Sequence, residues 1–479
     1  MKRRALIIIG TGAAIGAVAA LMIRRPESAA ELRAKMPLAE RIKLCLDLAK
    51  MKLATTIDYL DSYARRGILY PYLTYPEPSG FNFFNWLRRR NSPTPGTWKL
   101  DKADFWAAGA FPALLWKIAD LESNPMDAGF WSAAAKKWSD PLKEASLKNK
   151  DIALNNVLVF APWFESGQGQ EKQTALEITL QGARQLAQPF QDGKGSYHTD
   201  IGTFGWLRKA DRTDQQEHWH VFMDHTINIE QLLWASRHNS DPKEAKDWQE
   251  KALSHIRTIS RTFGANRRPG KTGTWQRGYF DQNVNSPTYT NFLFNEGKQG
   301  WRDDSTWSRG QAWFICSATT AYIYTGDPEM LTIAKDAINY YLENLPDRWP
   351  GEQRRAGDFI PPWDFDYALQ KNAATEKDSS AAAIAVAGMI RLLKALPSSD
   401  PSYGSYREAI DNTLLNLTSF QYFPDETAPE MSLLRHGCYH HPAAIQPTQI
   451  YDTGLIWGDF FFINALAEYQ DLPDTLLTK

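Results

Sequence analysis

The chain has 479 residues, a formal net charge of −1 and three widely separated cysteines, Cys45, Cys316 and Cys438. Balanced charge gives no pointer to nucleic acid or a polyanion-binding surface, and three scattered cysteines exclude a disulfide framework or a cysteine-rich metal site. Eighteen Trp and 13% aromatic residues supply core mass and also flat apolar faces suited to stacking on sugar rings.

Lys2, Arg3 and Arg4 precede an uncharged run, Ala5–Ile23, that ends at Arg24-Arg25-Pro26. As a helix this run reaches roughly 28 Å, about the hydrocarbon thickness of a bilayer. Residues 1–36 are read as a membrane anchor or signal segment with a short linker. The protein is then expected to be single-pass or secreted, with its body on the non-cytoplasmic side. Gly10–Gly16 imitates a dinucleotide-binding turn, but no second strand with a ribose-binding acid follows.

Residues 37–479 are read as one domain. Apolar residues recur there at helical period, and long alternating strands are missing. The pattern predicts twelve helices, at 38–64, 106–121, 126–146, 150–163, 171–190, 223–237, 242–264, 306–325, 327–344, 377–396, 402–422 and 453–470. Twelve helices form six hairpins, which can close into a ring around a central well. The expected inner set is 106–121, 150–163, 223–237, 306–325, 377–396 and 453–470; all but 377–396 pair Trp with small or polar residues. A linear solenoid is the alternative, but no period of 34 to 47 residues appears. The long irregular pieces, 66–104, 191–217, 265–303 and 345–376, read as functional rims.

Chemistry concentrates in three places. Asp224 opens D-H-T-I-N-I-E-Q-L-L-W-A-S, with Asn228 one turn on along the same face. It reads equally as an N-cap or as a carboxyl with a raised pKa among aromatics. Asp151 starts another inner helix; two carboxyls from separate helices suit glycoside chemistry, one protonating and one supporting. Asp200, in a loop, competes with it. In R-D-D-S-T-W-S-R-G-Q-A-W (302–313), Asp303, Asp304 and Ser305 are N-cap types. Arg309 and Trp313 share a helical face there, where a guanidinium beside an indole could grip a carboxylate; taken alone, the stretch reads rather as a capped helix with its Trp residues toward the core and Arg309 in a structural ion pair. His218, His220 and His225 with Asp224 form a minority metal reading, since their spacing fits no metal motif. No cofactor motif and no metal site are expected.

With these residues in view, the chain resembles glycoside hydrolase family 88, the unsaturated glucuronyl hydrolases. The resemblance rests on six ordered blocks: W-A-A-G-A-F-P-A-L-L-W (106–116), Asp151, D-H-T-I-N-I-E-Q-L-L-W-A (224–235), S-T-W-S-R-G-Q-A-W (305–313), K-D-S-S-A-A-A-I-A (377–385) and W-G-D-F-F-F (457–462). It implies an (α/α)6 barrel and removal of a 4,5-unsaturated uronic acid from the non-reducing end of an oligosaccharide. In that reaction the C4–C5 vinyl ether is hydrated, rather than C1 being attacked. Asp224 matches the family's general acid/base and Asp151 its assisting carboxylate. Trp106 and Trp313 match ring platforms, with Gln299 and Arg309 as polar contacts. Around Asp151 the family's H-D-x-G-F is K-D-I-A-L here. Gln276 stands near a family His, and Phe204 where the family has Trp. Unsaturated rhamnogalacturonyl hydrolysis, or a catalytically silent membrane-tethered sugar-binding protein, are the alternatives.

Overall fold

The computed structural model describes residues 28–76, 94–148, 153–192, 202–211, 216–264, 273–351, 354–371, 376–425, 428–445 and 450–472. Its helices are α1 (Ala29–Lys35), α2 (Leu38–Asp61), α3 (Ala110–Leu121), α4 (Pro125–Ser139), α5 (Leu142–Lys148), α6 (Ala153–Ser166), α7 (Gly169–Ala187), α8 (Ile229–His238), α9 (Pro242–Thr262), α10 (Ser308–Thr325), α11 (Pro328–Glu343), α12 (Phe365–Lys371), α13 (Ser379–Ala395), α14 (Tyr403–Leu417) and α15 (Ile456–Tyr469).

Six of these close a ring. Each of α3, α6, α8, α10, α13 and α15 packs on the next, and α15 returns to α3. These are the six segments expected inside, and an (α/α)6 barrel is the architecture. Their sequences explain the placement. In α13 (S-S-A-A-A-I-A-V-A-G-M-I-R-L-L-K-A) every residue from Ser379 to Ile390 is buried, as befits a helix apolar or small on all sides. Gly388 is needed for close approach: a Cβ there would stand 3.2 Å from Cys316 Cα on α10.

The outer helices are amphipathic instead. In α9, Asp241 caps the helix by accepting from Lys243 and Glu244 N–H, Pro242 sits at the first position, and one face buries Trp248, Leu253, Ile256 and Ile259.

The rims carry short strands that the helical pattern hid. In chain order, β1 (Tyr70–Thr74) pairs with β2 (Trp98–Asp101) and β3 (Phe190–Gln191) with β4 (Thr203–Phe204). A four-stranded antiparallel sheet then joins β5 (Trp206–Lys209), β6 (Glu217–Phe222), β7 (Arg277–Phe280) and β8 (Phe292–Glu296) in that order. Its register pairs Trp206 with His220, His220 with Tyr279, Phe222 with Arg277, and Arg277 with Glu296. Side chains alternate across a sheet, so these residues share one face. A separate antiparallel pair, Gly437–His440 with Ile450–Thr453, brings Tyr439 and His440 to the same cavity.

The single-pass membrane expectation is corrected. Among the described residues no helix is long and apolar enough to cross a membrane. The first of them, A-A-E-L-R-A-K, carries Glu31, Arg33 and Lys35, and it docks on the body through Arg33 Nη1, which donates to Phe423 O at 2.5 Å. The run 5–23 lies outside the described residues. Cys45, Cys316 and Cys438 are free thiols, each buried.

Candidate active site

Asp224 sits in a 3₁₀ turn, Met223–Asn228, that leads into α8; the turn is capped by Phe222, without a side-chain bond. The carboxyl is thus not spent on capping. Its Oδ2 is sealed from solvent and has no hydrogen-bond partner among the described residues. Burial pushes the Asp224 pKa up to about 6 against the pull of the Arg309 charge. The Trp313 indole N–H also favours the carboxylate, although it forms no well-aligned bond.

Asp224 opens into a cavity of about 390 Å³. Trp106, Asn228 and Trp313 line it with Asp224; Asn228 directly precedes α8, and Trp313 lies in the second turn of α10. Those helix ends add partial positive charge. The sheet forms one wall with Trp206, Arg208, His220, Phe222 and Arg277, and Tyr439 and His440 also line the cavity. Trp106 packs against Trp457 at 4.8 Å between ring centroids.

The wall is electropositive but largely neutralised in place. Arg277 is shared by Glu296 and Asp211 at 2.9 Å each, and Arg208 reaches Asp211 at 2.7 Å. Burial works against the Asp211 charge, but these guanidinium groups hold its pKa at about 2. Lys298, also on the cavity, has no ion-pair partner among the described residues. Burial lowers its pKa, and Arg277 and Arg208 lower it further. It is the cation most available to an incoming anion. His440 is pushed down to about 4, by burial first and then by Arg309 and Lys298, and stands neutral at pH 7.

No family model matches the chain. Among curated proteins, an unsaturated chondroitin disaccharide hydrolase from Streptococcus pyogenes serotype M1 is 29% identical over 295 residues, 61% of this chain and 63% of that protein. An unsaturated glucuronyl hydrolase from Bacillus sp. (strain GL1) is 28% identical over 257 residues, 54% of this chain and 60% of that protein. The chain is a relative of the unsaturated glucuronyl hydrolases. The match spans a little under two thirds of the length of those curated proteins. The crystal structure of an unsaturated glucuronyl hydrolase specific for heparin superposes with a TM-score of 0.67 at 20% identity, covering 90% of this chain and 97% of that one. The glucuronyl hydrolase fold is therefore shared almost end to end.

Set in that fold, the site residues read from sequence separate into groups. Asp224, Trp106, Asn228, Gln299 and Trp313 come together on the cavity. Asp151 and Asp200 lie outside the described residues. Arg309 does not line the cavity. Its side chain is 1% exposed and is held by Asp378 at 2.7 Å, Cys438 O at 2.5 Å and Tyr439 O at 3.1 Å. Three of its five N–H donors are taken by these partners, and the side chain is not among those lining the cavity.

Phe204 is likewise elsewhere, packed on Phe190 and His255 in a small satellite hairpin. Gln276 lies beneath the wall, with its side chain turned to the loop that carries Gln299. The capping role expected of Asp303, Asp304 and Ser305 also fails. The helix starts at Ser308, Asp303 accepts from Gly297 N–H, Asp304 pairs with Arg302, and Ser305 donates to Asp364.

His218 and His220 do share a face of β6, but His218 packs on Phe294 and Tyr279, and His220 on Trp206 and Tyr279. Among the described residues no three His, Cys, Asp or Glu side chains converge as a metal site. The sequence reading missed Trp206, Arg208, Lys298, Tyr439 and His440. Alternation of bulky and basic residues in W-L-R-K and H-W-H-V-F was the available signal for the first two.

Proposed function

We propose that this chain is a glycoside hydrolase that removes a terminal 4,5-unsaturated uronic acid from oligosaccharides. One observation carries the reading: a carboxyl with pKa about 6, Asp224, at the floor of an aromatic cavity whose wall holds an unpaired ammonium among the described residues. Protonating carbon needs an acid that keeps its proton near neutral pH, which burial provides here.

Asp224 in its acid form delivers a proton to C4, and positive charge develops at C5 and the ring oxygen. The carboxylate so formed takes a proton from the water that adds to C5. The resulting hemiketal opens and releases the remaining sugar. Asp151 is the assisting carboxylate in this scheme. Trp106 and Trp313 support the ring, and Lys298 takes the role of charge partner to the uronate that Arg309 cannot fill.

Turnover of an unsaturated disaccharide in heavy water tests the scheme. The alkene absorbance should vanish, with one deuterium carried to C4 of the released keto sugar. Cleavage that leaves the alkene in place would instead mean ordinary attack at C1. The acid requirement also fixes a pH limb. Because the catalytic form is the protonated one, kcat/KM should fall about tenfold per unit as pH rises above about 6. A rate that rose through that range would assign the titrating group to a base.

A further inference from the structure

Gln276 precedes β7 and is buried. Its Oε1 accepts three consecutive backbone N–H groups, from Lys298 and Gln299 at 2.7 Å and Gly300 at 3.3 Å. An amide nitrogen can accept none of these, so the three donors dictate which end of the side chain is the carbonyl. The other end is NH2, and it donates to Gln299 Oε1 at 2.6 Å. That bond occupies the carbonyl of Gln299. Its Nε2, without a partner among the described residues, becomes the free end of a side chain that lines the cavity. The Gln276 main chain adds a second tie, since its carbonyl accepts the N–H of Met223 at 2.8 Å, one residue before Asp224.

We propose that Gln276 is a positioning residue that sets the polarity of position 299, holding the Gln299 amide with its N–H groups toward the cavity to donate to the carboxylate of the terminal uronate. The polarity follows from the hydrogen-bond chain alone; the identity of the acceptor rests on the hydrolase reading. Both reversals are costly. Turning Gln299 sets two NH2 groups against each other, and turning Gln276 sets an NH2 against three N–H groups, leaving buried donors unmade. The three backbone amides thus decide, two side chains away, that the cavity offers a donor next to Lys298. A donor beside a cation attracts a carboxylate, whereas an acceptor there would repel it.

Neutron diffraction from perdeuterated protein reads the polarity whatever the enzyme turns over. Two deuterons on Gln276 facing Gln299, and two on Gln299 facing the cavity, are expected; the opposite order on Gln299 overturns the proposal. Kinetics with an unsaturated glucuronyl disaccharide read its consequence. Gln276→Glu still accepts the three backbone N–H groups but cannot donate to Gln299, whose amide must then reverse. KM should rise about tenfold or more, with a smaller change in kcat.

Adding Gln299→Lys to Gln276→Glu should recover most of that loss, because an ammonium can donate both to the new carboxylate and to the cavity. An unchanged KM in Gln276→Glu, a loss confined to kcat, or no recovery in the double variant overturns the proposal. Failure of the wild-type protein to consume any unsaturated disaccharide counts against the hydrolase reading instead, and the neutron map still decides the polarity.

Discussion

Asp224→Asn is expected to lower kcat by about 10²–10⁴-fold, the usual worth of a positioned general acid, with KM for an unsaturated disaccharide near its wild-type value. The amide fills the same space and can still hydrogen bond, but it has no proton to give to carbon. Stability should move the other way. In the fold Asp224 titrates at about 6, against an ordinary value of 3.8. The folded protein therefore keeps a proton that the unfolded chain releases between those values. The stabilisation is complete below about pH 4 and is lost as pH rises through 6. By pH 7 the ionised carboxyl costs the fold roughly 2–3 kcal/mol.

The asparagine variant escapes that cost. In urea denaturation it should be more stable than wild type at pH 7 by up to about that amount, with the gap closing toward pH 4. A helix cap would behave oppositely, because its removal would destabilise at neutral pH. Loss of stability with full activity would return Asp224 to a purely structural role.

Arg309→Met is expected to cost about 3–5 kcal/mol of stability, because it strands the Asp378 carboxylate in the interior without its partner. Both side chains are essentially unexposed, at 1% and 0%. Their pairing links the start of α10 to the residue that caps α13, where Asp378 Oδ1 accepts from Ser380 and Ala381 N–H. The Cys438 and Tyr439 carbonyls would lose their donor as well.

Adding Asp378→Asn should restore much of the loss, since asparagine can still cap and no charge is left bare. Thermal or urea unfolding of the two single variants and the double variant measures this coupling. Where the Arg309→Met variant folds, the Asp224 pH limb should move upward, because Arg309 is the chief charge opposing burial there. A variant of ordinary stability whose only defect is a raised KM would instead place Arg309 against the substrate.

These two residues also mark what was legible in the sequence. The inner helices could be read because a helix buried on all sides must be apolar or small on all sides, as α13 is. That signal needs no knowledge of partners. Asp224 was legible as a candidate, since an acid opening an aromatic-rich inner helix has few uses. Arg309 was misread for the complementary reason. Its spacing from Trp313 was right, but its partner, Asp378, lies 69 residues away, and helical spacing says nothing about a contact between helices. The sheet was missed because strands of four to six residues, such as β6, are too short to establish a period within a helical chain. Lys298 carried no local signal at all. Its availability depends on Asp211 and Glu296 already being engaged by Arg277.

The closure of the ring has a consequence for how the protein is made. The wall that receives Trp106 is completed by Trp457, and α15 seals the gap beside α3. Those partners are separated by most of the polypeptide, so loop-closure entropy is met late. During synthesis the ring around the cavity stays open until α15 has left the ribosome and packed against α3. A chain stopped short of α15 would then be an open arc with its apolar inner surface bare. It would be prey for proteases and chaperones rather than a weakened enzyme.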